Sequence, residues 1–283
     1  MSGRNNDERT GARQANEGDS TAAVQAATQH PSQNQSGLSF VVPTEFVELP
    51  SQGKFYPQGH PLHGQESIEI RQMTAKEEDI LTSQNLIKQG VVIDTLLQAL
   101  VVDKSINLDD MLVGDKNAIM VASRILGYGK DYDFEYDGVE QSVDLSKLEG
   151  KKLDFDKYPK GVNEFSFELP NSKRKLVFKL LTSRDEKDIA LEVKAREKIS
   201  KTRSSELTTR LKKLIKSVDG KMETSYINNF VDNEFLSIDS LAFRKNLLSI
   251  TPDVDMTTQI VDSAGEEVEV TIPVTLRFFW PTN

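Results

Sequence analysis

His60 and His63 are the residues that most readily suggest chemistry. They are separated by Pro61 and Leu62, with Glu66 close behind. Two imidazoles and a carboxylate form a ligand set that zinc or another transition metal accepts. The spacing is not the i, i+4 pattern that places two ligands on one helix face, and the surrounding prolines and glycines fix a turn for their own reasons. The pair therefore reads as part of a turn rather than a metal site. A second candidate is Gly127-Tyr128-Gly129-Lys130. A phosphate cradle follows a strand and opens a helix, whereas these glycines follow a predicted helix and read as its C-terminal cap. There is no Gly-x-Ser-x-Gly elbow, and the chain has no cysteine, which removes thiol nucleophiles, disulfides and thiolate zinc sites. Carboxylates are abundant, but no pair is marked out for acid–base work. No enzyme, cofactor, metal or small-molecule substrate is expected.

Binding offers better candidates than catalysis. Leu276-Arg277-Phe278-Phe279-Trp280-Pro281 places three consecutive aromatics, including the single tryptophan, beside the end of the chain. In a strand, Phe278 and Trp280 share one face and Phe279 takes the other. Two readings stand: the segment docks on its own domain, or it anchors a partner, since Trp and Phe carry much interface energy. Arg277, Phe278, Phe279 and Trp280, with Phe55 and Tyr56 from a Pro- and Gly-rich loop, are the candidate partner-binding residues. A locally basic region runs through Lys173-Arg174-Lys175 and then from Lys194 to Lys216. Glu192, Glu197 and Glu206 interrupt it, so it reads as a solvated helix face or a contact for an acidic protein. Nucleic acid is the weaker alternative, because no aromatics are interleaved for base stacking.

The 283-residue chain carries a formal charge of −9, which argues against general phosphate binding. No apolar run reaches the roughly 20 residues needed to cross a bilayer. The longest, Val91 to Val102, is interrupted by Asp94 and Gln98. The N-terminus lacks the apolar core of a secretory signal, so a soluble cytoplasmic protein is expected. Residues 1–37 are rich in Asn, Gln, Ser and Gly and poor in large apolar side chains, which predicts a disordered tail.

Beyond the tail, an α+β chain of two units is predicted, spanning 38–150 and 151–283. In the first unit Ile68 and Ile70 alternate with charged residues as in a short strand. Thr74 with Glu77 forms a capping box before a helix from about Ala75. Helices over about Ile87–Val102 and Asp115–Leu126 follow, the latter ended by Gly127. Asp131–Tyr136 and Val139–Val143 flank Asp137-Gly138, a strong hairpin signal. In the second unit, Asn163–Leu169 and Leu176–Leu180 flank a turn. Thr182 with Asp185 caps a helix over about Ser183–Ser200, and Leu207, Leu211, Leu214 and Ile215 form the stripe of the next. Helices over Ile227–Val231 and Ser240–Leu248 and a hairpin of Met256–Val261 with Glu267–Val274 complete it. The order is the same twice: a Glu-Leu-Pro turn at Glu48 and again at Glu168, a strand, a Thr-capped helix, further helices, a hairpin. Internal duplication is the simplest account, with a charged helical insertion around Lys194–Lys216 in the second copy.

Several of these segments together resemble the T4-type bacteriophage baseplate protein family. They are Leu49-Pro50-Ser51-x-Gly53-x-x-Tyr56-Pro57, Met73-Thr74-Ala75-Lys76-Glu77-Glu78-Asp79-Ile80-Leu81, Arg124-x-x-x-Tyr128-Gly129, Asp239-Ser240 and Phe278-Phe279-Trp280-Pro281. The resemblance spans roughly Glu48 to Pro281. It implies a non-enzymatic protein that assembles or joins the central hub of a phage tail baseplate. Its partners would be other hub or wedge proteins in the host cytoplasm during assembly, after which the protein would either leave as an assembly factor or stay in the virion. Many family members carry Cys-x-x-Cys pairs in the hairpins. Here Asp137-Gly138-Val139-Glu140 and Asp262-Ser263-Ala264-Gly265 stand in those places, so no family metal role carries over. A nucleic-acid or head–tail connector module using residues 194–216 is the alternative.

Overall fold

The structure is a computed structural model that describes residues 42–199, 205–274 and 276–279. The expected N-terminal tail lies outside the described residues. The chain opens with Thr44–Glu48 (β1), which pairs antiparallel with Ser67–Arg71 (β2), Thr44 opposite Arg71 and Glu48 opposite Ser67. Sequence reading misses β1 because Val47 is its one buried side chain, so it lacks the alternation that marks β2, where Ile68 and Ile70 face inward. The intervening loop folds back on itself through Leu49 N–H to Glu66 C=O (2.8 Å) and Gly64 N–H to Gly53 C=O (2.9 Å).

Ala75–Thr82 (α1) starts where the capping box places it. The single helix expected over 87–102 is two, Gln84–Gln89 (α2) and Val92–Leu100 (α3). Gly90 takes a left-handed φ of 74°, and the Gly90 and Val91 N–H groups close on the carbonyls of Ile87 and Leu86. That is a glycine C-terminal cap inside an otherwise periodic run. Helix α3 buries Val92, Leu96, Leu97 and Leu100 on one face. Val113–Tyr128 (α4) extends beyond the expected bounds, and Gly127 lies within it rather than ending it. The Met73 methyl occupies the space a Cβ at Gly127 would need, and Gly129 (φ 86°) supplies the cap. Asp131–Tyr136 (β3) and Val139–Asp144 (β4) form the expected hairpin, with Asp137 and Gly138 both at positive φ.

In the second half Phe165–Glu168 (β5) and Lys175–Phe178 (β6) pair as expected. A third strand, Ile215–Val218 (β7), joins the far side of β6. Ile215, expected on a helix stripe, instead heads this strand opposite Phe178. Ser183–Ile199 (α5) and Glu206–Leu214 (α6) lie between, and Thr224–Asn229 (α7) runs into one wide turn at Phe230–Glu234. Ser237–Ile250 (α8) precedes the hairpin of Thr257–Val261 (β8) and Glu267–Thr271 (β9). A 3₁₀ turn, Leu276–Phe279, is the last described element. The class is α+β: among the described residues, eight α-helices and four small antiparallel sheets.

The halves are tied by a short antiparallel joint. Leu112 bridges Thr182, the Val113 N–H donates to the Leu181 carbonyl (3.2 Å), and the Ser183 N–H donates to the Met111 carbonyl (2.9 Å). A second tie pairs Gly150 with Val254. Gly114 sits so close to Pro252 and Asp253 that a Cβ would overlap the Pro252 carbonyl oxygen. Phe55 meets Phe155, Tyr158 and Phe165 at ring separations of 5.3–6.0 Å, which carries the core across the two halves.

Candidate protein-docking surface

The residues singled out for binding are placed as follows. Phe278 and Phe279 are fully buried, Phe278 edge-on to Tyr132 (5.0 Å) and to Phe279 (5.5 Å), while Arg277 is exposed. The segment is a 3₁₀ turn rather than a strand, and both rings face the chain's own core. Trp280 lies outside the described residues. Phe55 and Tyr56 are also buried. In this conformation these four aromatics hold the fold together, and among the described residues of the set only Arg277 stands at the surface.

Tyr56 belongs to a buried polar network. The Asp115 carboxylate, in the first turn of α4, accepts from the Ser51 N–H (2.8 Å), the Ser51 hydroxyl (2.5 Å) and the Tyr56 hydroxyl (2.7 Å), and the Tyr56 hydroxyl in turn accepts from the Leu112 N–H (2.9 Å). Burial raises the Asp115 carboxyl above its ordinary range, with the bonds from Ser51 and Tyr56 opposing it. Burial, then the neighbouring Asp115 charge, pushes the Tyr56 phenol well up. The second half has a related device. Asp239, in the first turn of α8, accepts from the Asn171 N–H (2.8 Å) and the Ser172 N–H (2.9 Å), directly after the other Glu-Leu-Pro turn. Burial alone would raise this carboxyl, but those N–H groups outweigh it and hold it low.

The two helix starts are also built alike. Glu77 accepts from the Thr74 N–H (3.0 Å) and hydroxyl (2.7 Å) and from Arg71 (2.7 Å). The Arg71 guanidinium and the Thr74 donors, opposed by burial, depress its pKa to about 2. Asp185 accepts from the Thr182 N–H (3.0 Å) and hydroxyl (3.1 Å) and from Lys179 (2.8 and 2.7 Å). Both boxes therefore have a cation three residues before the threonine and an acid three after, and sequence reading identified only the acid.

What it missed altogether is the outer face of α8. Ile238, Leu241, Lys245 and Leu248 recur at spacings of three and four, so they fall on one side. Leu236 (51 % exposed), Ile238 (60 %), Leu241 (46 %) and Leu248 (62 %) make this an apolar surface rather than scattered single residues. The sequence does contain this stripe, but Phe243 and Leu247 compete with it for the core-facing side. Beside Leu248 the surface runs into an apolar groove of about 350 Å³ at the joint, lined among others by Leu112, Leu181, Leu207, Leu211 and Leu247, with Arg244 at its edge.

Among the described residues of 194–216, five cations meet carboxylates. Arg196 pairs with Glu192, Arg210 with Glu186, Lys212 with Asp232, Lys213 with Asp188 and Lys216 with Glu164. His60 stacks on Tyr56 (4.6 Å) and His63 Nδ1 lies 2.6 Å from the Tyr56 carbonyl oxygen, so both histidines serve the loop. Among the described residues no group of three or more His, Asp or Glu side chains is arranged to hold a metal, and no helix is long and apolar enough to cross a membrane. No family model matches the chain, and no curated protein or solved structure is significantly similar to it.

Proposed function

We propose that the chain is a non-enzymatic baseplate protein of a tailed phage that assembles, or forms part of, the central hub by binding other hub or wedge proteins. One observation carries the reading. The segments that resemble the baseplate family hold side chains with specific bonds: Ser51 and Tyr56 on Asp115, Thr74 on Glu77, Arg124 on the Gly129 carbonyl and Asp239 on the chain after Pro170, and two of the segments meet where the Tyr128 hydroxyl donates to Glu78 (3.3 Å). The protein works by stoichiometric contact, and the apolar outer face of α8 is the surface it offers.

The same reading includes an internal duplication. Each half has an antiparallel hairpin whose second strand leads to a cation–Thr–acid helix start. Each then has a later helix whose first-turn Asp holds the Glu-Leu-Pro turn, and a closing two-stranded hairpin. The alternative, a nucleic-acid or head–tail connector module on residues 194–216, draws less support because those cations already meet carboxylates. Mass spectrometry of purified phage particles beside infected-cell lysate tests the function. The chain should be found either at fixed low copy in the particle or in the lysate bound to tail proteins. Recovery from neither tail proteins nor particles would sink the reading.

A further inference from the structure

We infer that the chain binds a second copy of itself, head to tail, by repeating between molecules the joint that ties its own halves together. The inference rests on the two-unit reading. Inside the chain, the joint is made by the segment before α4 (Met111-Leu112-Val113) and the segment that opens α5 (Leu181-Thr182-Ser183). Each segment has a counterpart that the chain leaves unused. The segment before α8, Phe235-Leu236-Ser237, corresponds to Met111–Val113. The start of α1, Met73-Thr74-Ala75, corresponds to Leu181–Ser183.

The four backbone groups that would form the repeated joint are available. The Phe235 carbonyl, the Ser237 N–H, the Met73 carbonyl and the Ala75 N–H have no hydrogen-bond partner among the described residues, whereas each of their counterparts is bonded. Leu112 is 3 % exposed in the joint, while Leu236 is an exposed apolar side chain with nothing over it. Charge also matches. Arg184, two residues after Thr182, pairs with Asp110, two residues before Leu112 (3.0 Å). The corresponding residues are Lys76 and Glu234, again a cation on one face and an anion on the other. Glu234 is partly exposed and already holds Arg174, and Lys76 is exposed with no ion pair among the described residues. Size is exchanged across the two joints. Gly114 packs against Pro252 and Asp253, whereas its counterpart Ile238 would face Tyr128 and Gly129, and a Cβ at Gly129 would meet only open space.

A head-to-tail contact uses two different faces, so it leads to chains or closed rings rather than an isologous dimer. Sedimentation velocity of the full chain over a concentration series tests this, with two variants chosen to fold. Ala75→Pro removes only the N–H at the first helical position, where proline is tolerated and Thr74 is already extended (φ −120°, ψ 173°). Leu236→Asp changes one exposed side chain. The wild-type mass should rise with concentration, Ala75→Pro should weaken association about fivefold, and Leu236→Asp should abolish it. Mixed together, Ala75→Pro still offers the Leu236 face and Leu236→Asp still offers the Thr74 face. The mixed joint between these two intact faces should form about fivefold more tightly than the Ala75→Pro joint, and Leu236→Asp, which offers no second face, should end each chain it joins. A wild-type chain that stays monomeric overturns the inference, as does association that neither variant alters. Both outcomes leave the two-unit reading standing. The joint inside the chain is tested separately: a Ser183→Pro variant, which removes the Ser183 N–H bond to the Met111 carbonyl, should unfold at a lower denaturant concentration than wild type.

Discussion

At the scale of the residue, two buried acids do most of the specifying, and they respond to pH in opposite directions. Glu77 has its folded pKa depressed to about 2 by Arg71 and Thr74, below its unfolded value of 4.5. Its contribution is therefore complete above that unfolded value and lost as pH falls toward 2, amounting to about 3 kcal/mol. Denaturant midpoints measured from pH 6 to pH 2 should fall steeply for wild type and less steeply for Glu77→Gln, which starts lower at neutral pH. Asp115 is raised by burial, so its effect is fully present below the ordinary carboxylate range and diminishes as pH rises through its folded pKa. Asp115→Asn keeps the shape but turns an amide N–H₂ toward donors from Ser51 or Tyr56. It should cost about 1–3 kcal/mol in urea unfolding. Tyr56→Phe leaves both Asp115 and the Leu112 N–H short of a partner and should cost a similar amount.

At the scale of the element, the joint depends on how closely the start of α4 approaches the chain after α8. Gly114 permits that approach, because a Cβ there would overlap backbone that cannot rotate away. Gly114→Ala should lower the melting temperature, with a cost of about 1–3 kcal/mol. Gly59→Ala is a useful contrast: it sits at φ 90° with open space around it, so it carries backbone strain but no overlap. If the two variants melted together, close packing at the joint would not be the cause. Strand β7 shows the same dependence on partners. Ile215 continues the apolar spacing of α6, but the chain leaves the helix there because β6 offers an unpaired edge opposite Phe178.

At the scale of the whole molecule, the C-terminal aromatics join the last turn to the β3–β4 hairpin through Tyr132, whose hydroxyl also donates to the Pro273 carbonyl (3.1 Å). The β3–β4 and β8–β9 hairpins touch as well, through Gln141 on the Val261 carbonyl and Ser263 on Asp137. Phe278→Ala should therefore cost about 3–5 kcal/mol of stability. Arg277→Ala should leave stability unchanged within about 0.5 kcal/mol. Thermal unfolding of the two variants separates a core role from a surface one. A truncation that removes the whole end would merge them.

The sequence by itself determined whatever rests on contacts a few residues apart. The Thr74–Glu77 and Thr182–Asp185 boxes, the Asp137-Gly138 turn and the closing hairpin all follow from such local chemistry, and the structure reproduces them. Only the tertiary structure decided matters that depend on distant partners. It placed β1 against β2, split a periodic run at Gly90, and carried the helix through Gly127 under the Met73 methyl. It also gave Asp115 its three donors, turned Phe278 and Phe279 inward, and left the apolar side of α8 outward. Apolar residues on both sides of a helix do not say which side meets the core. That choice is made by the surfaces the rest of the chain presents, because burial is favourable wherever complementary surface exists and is indifferent to sequence distance.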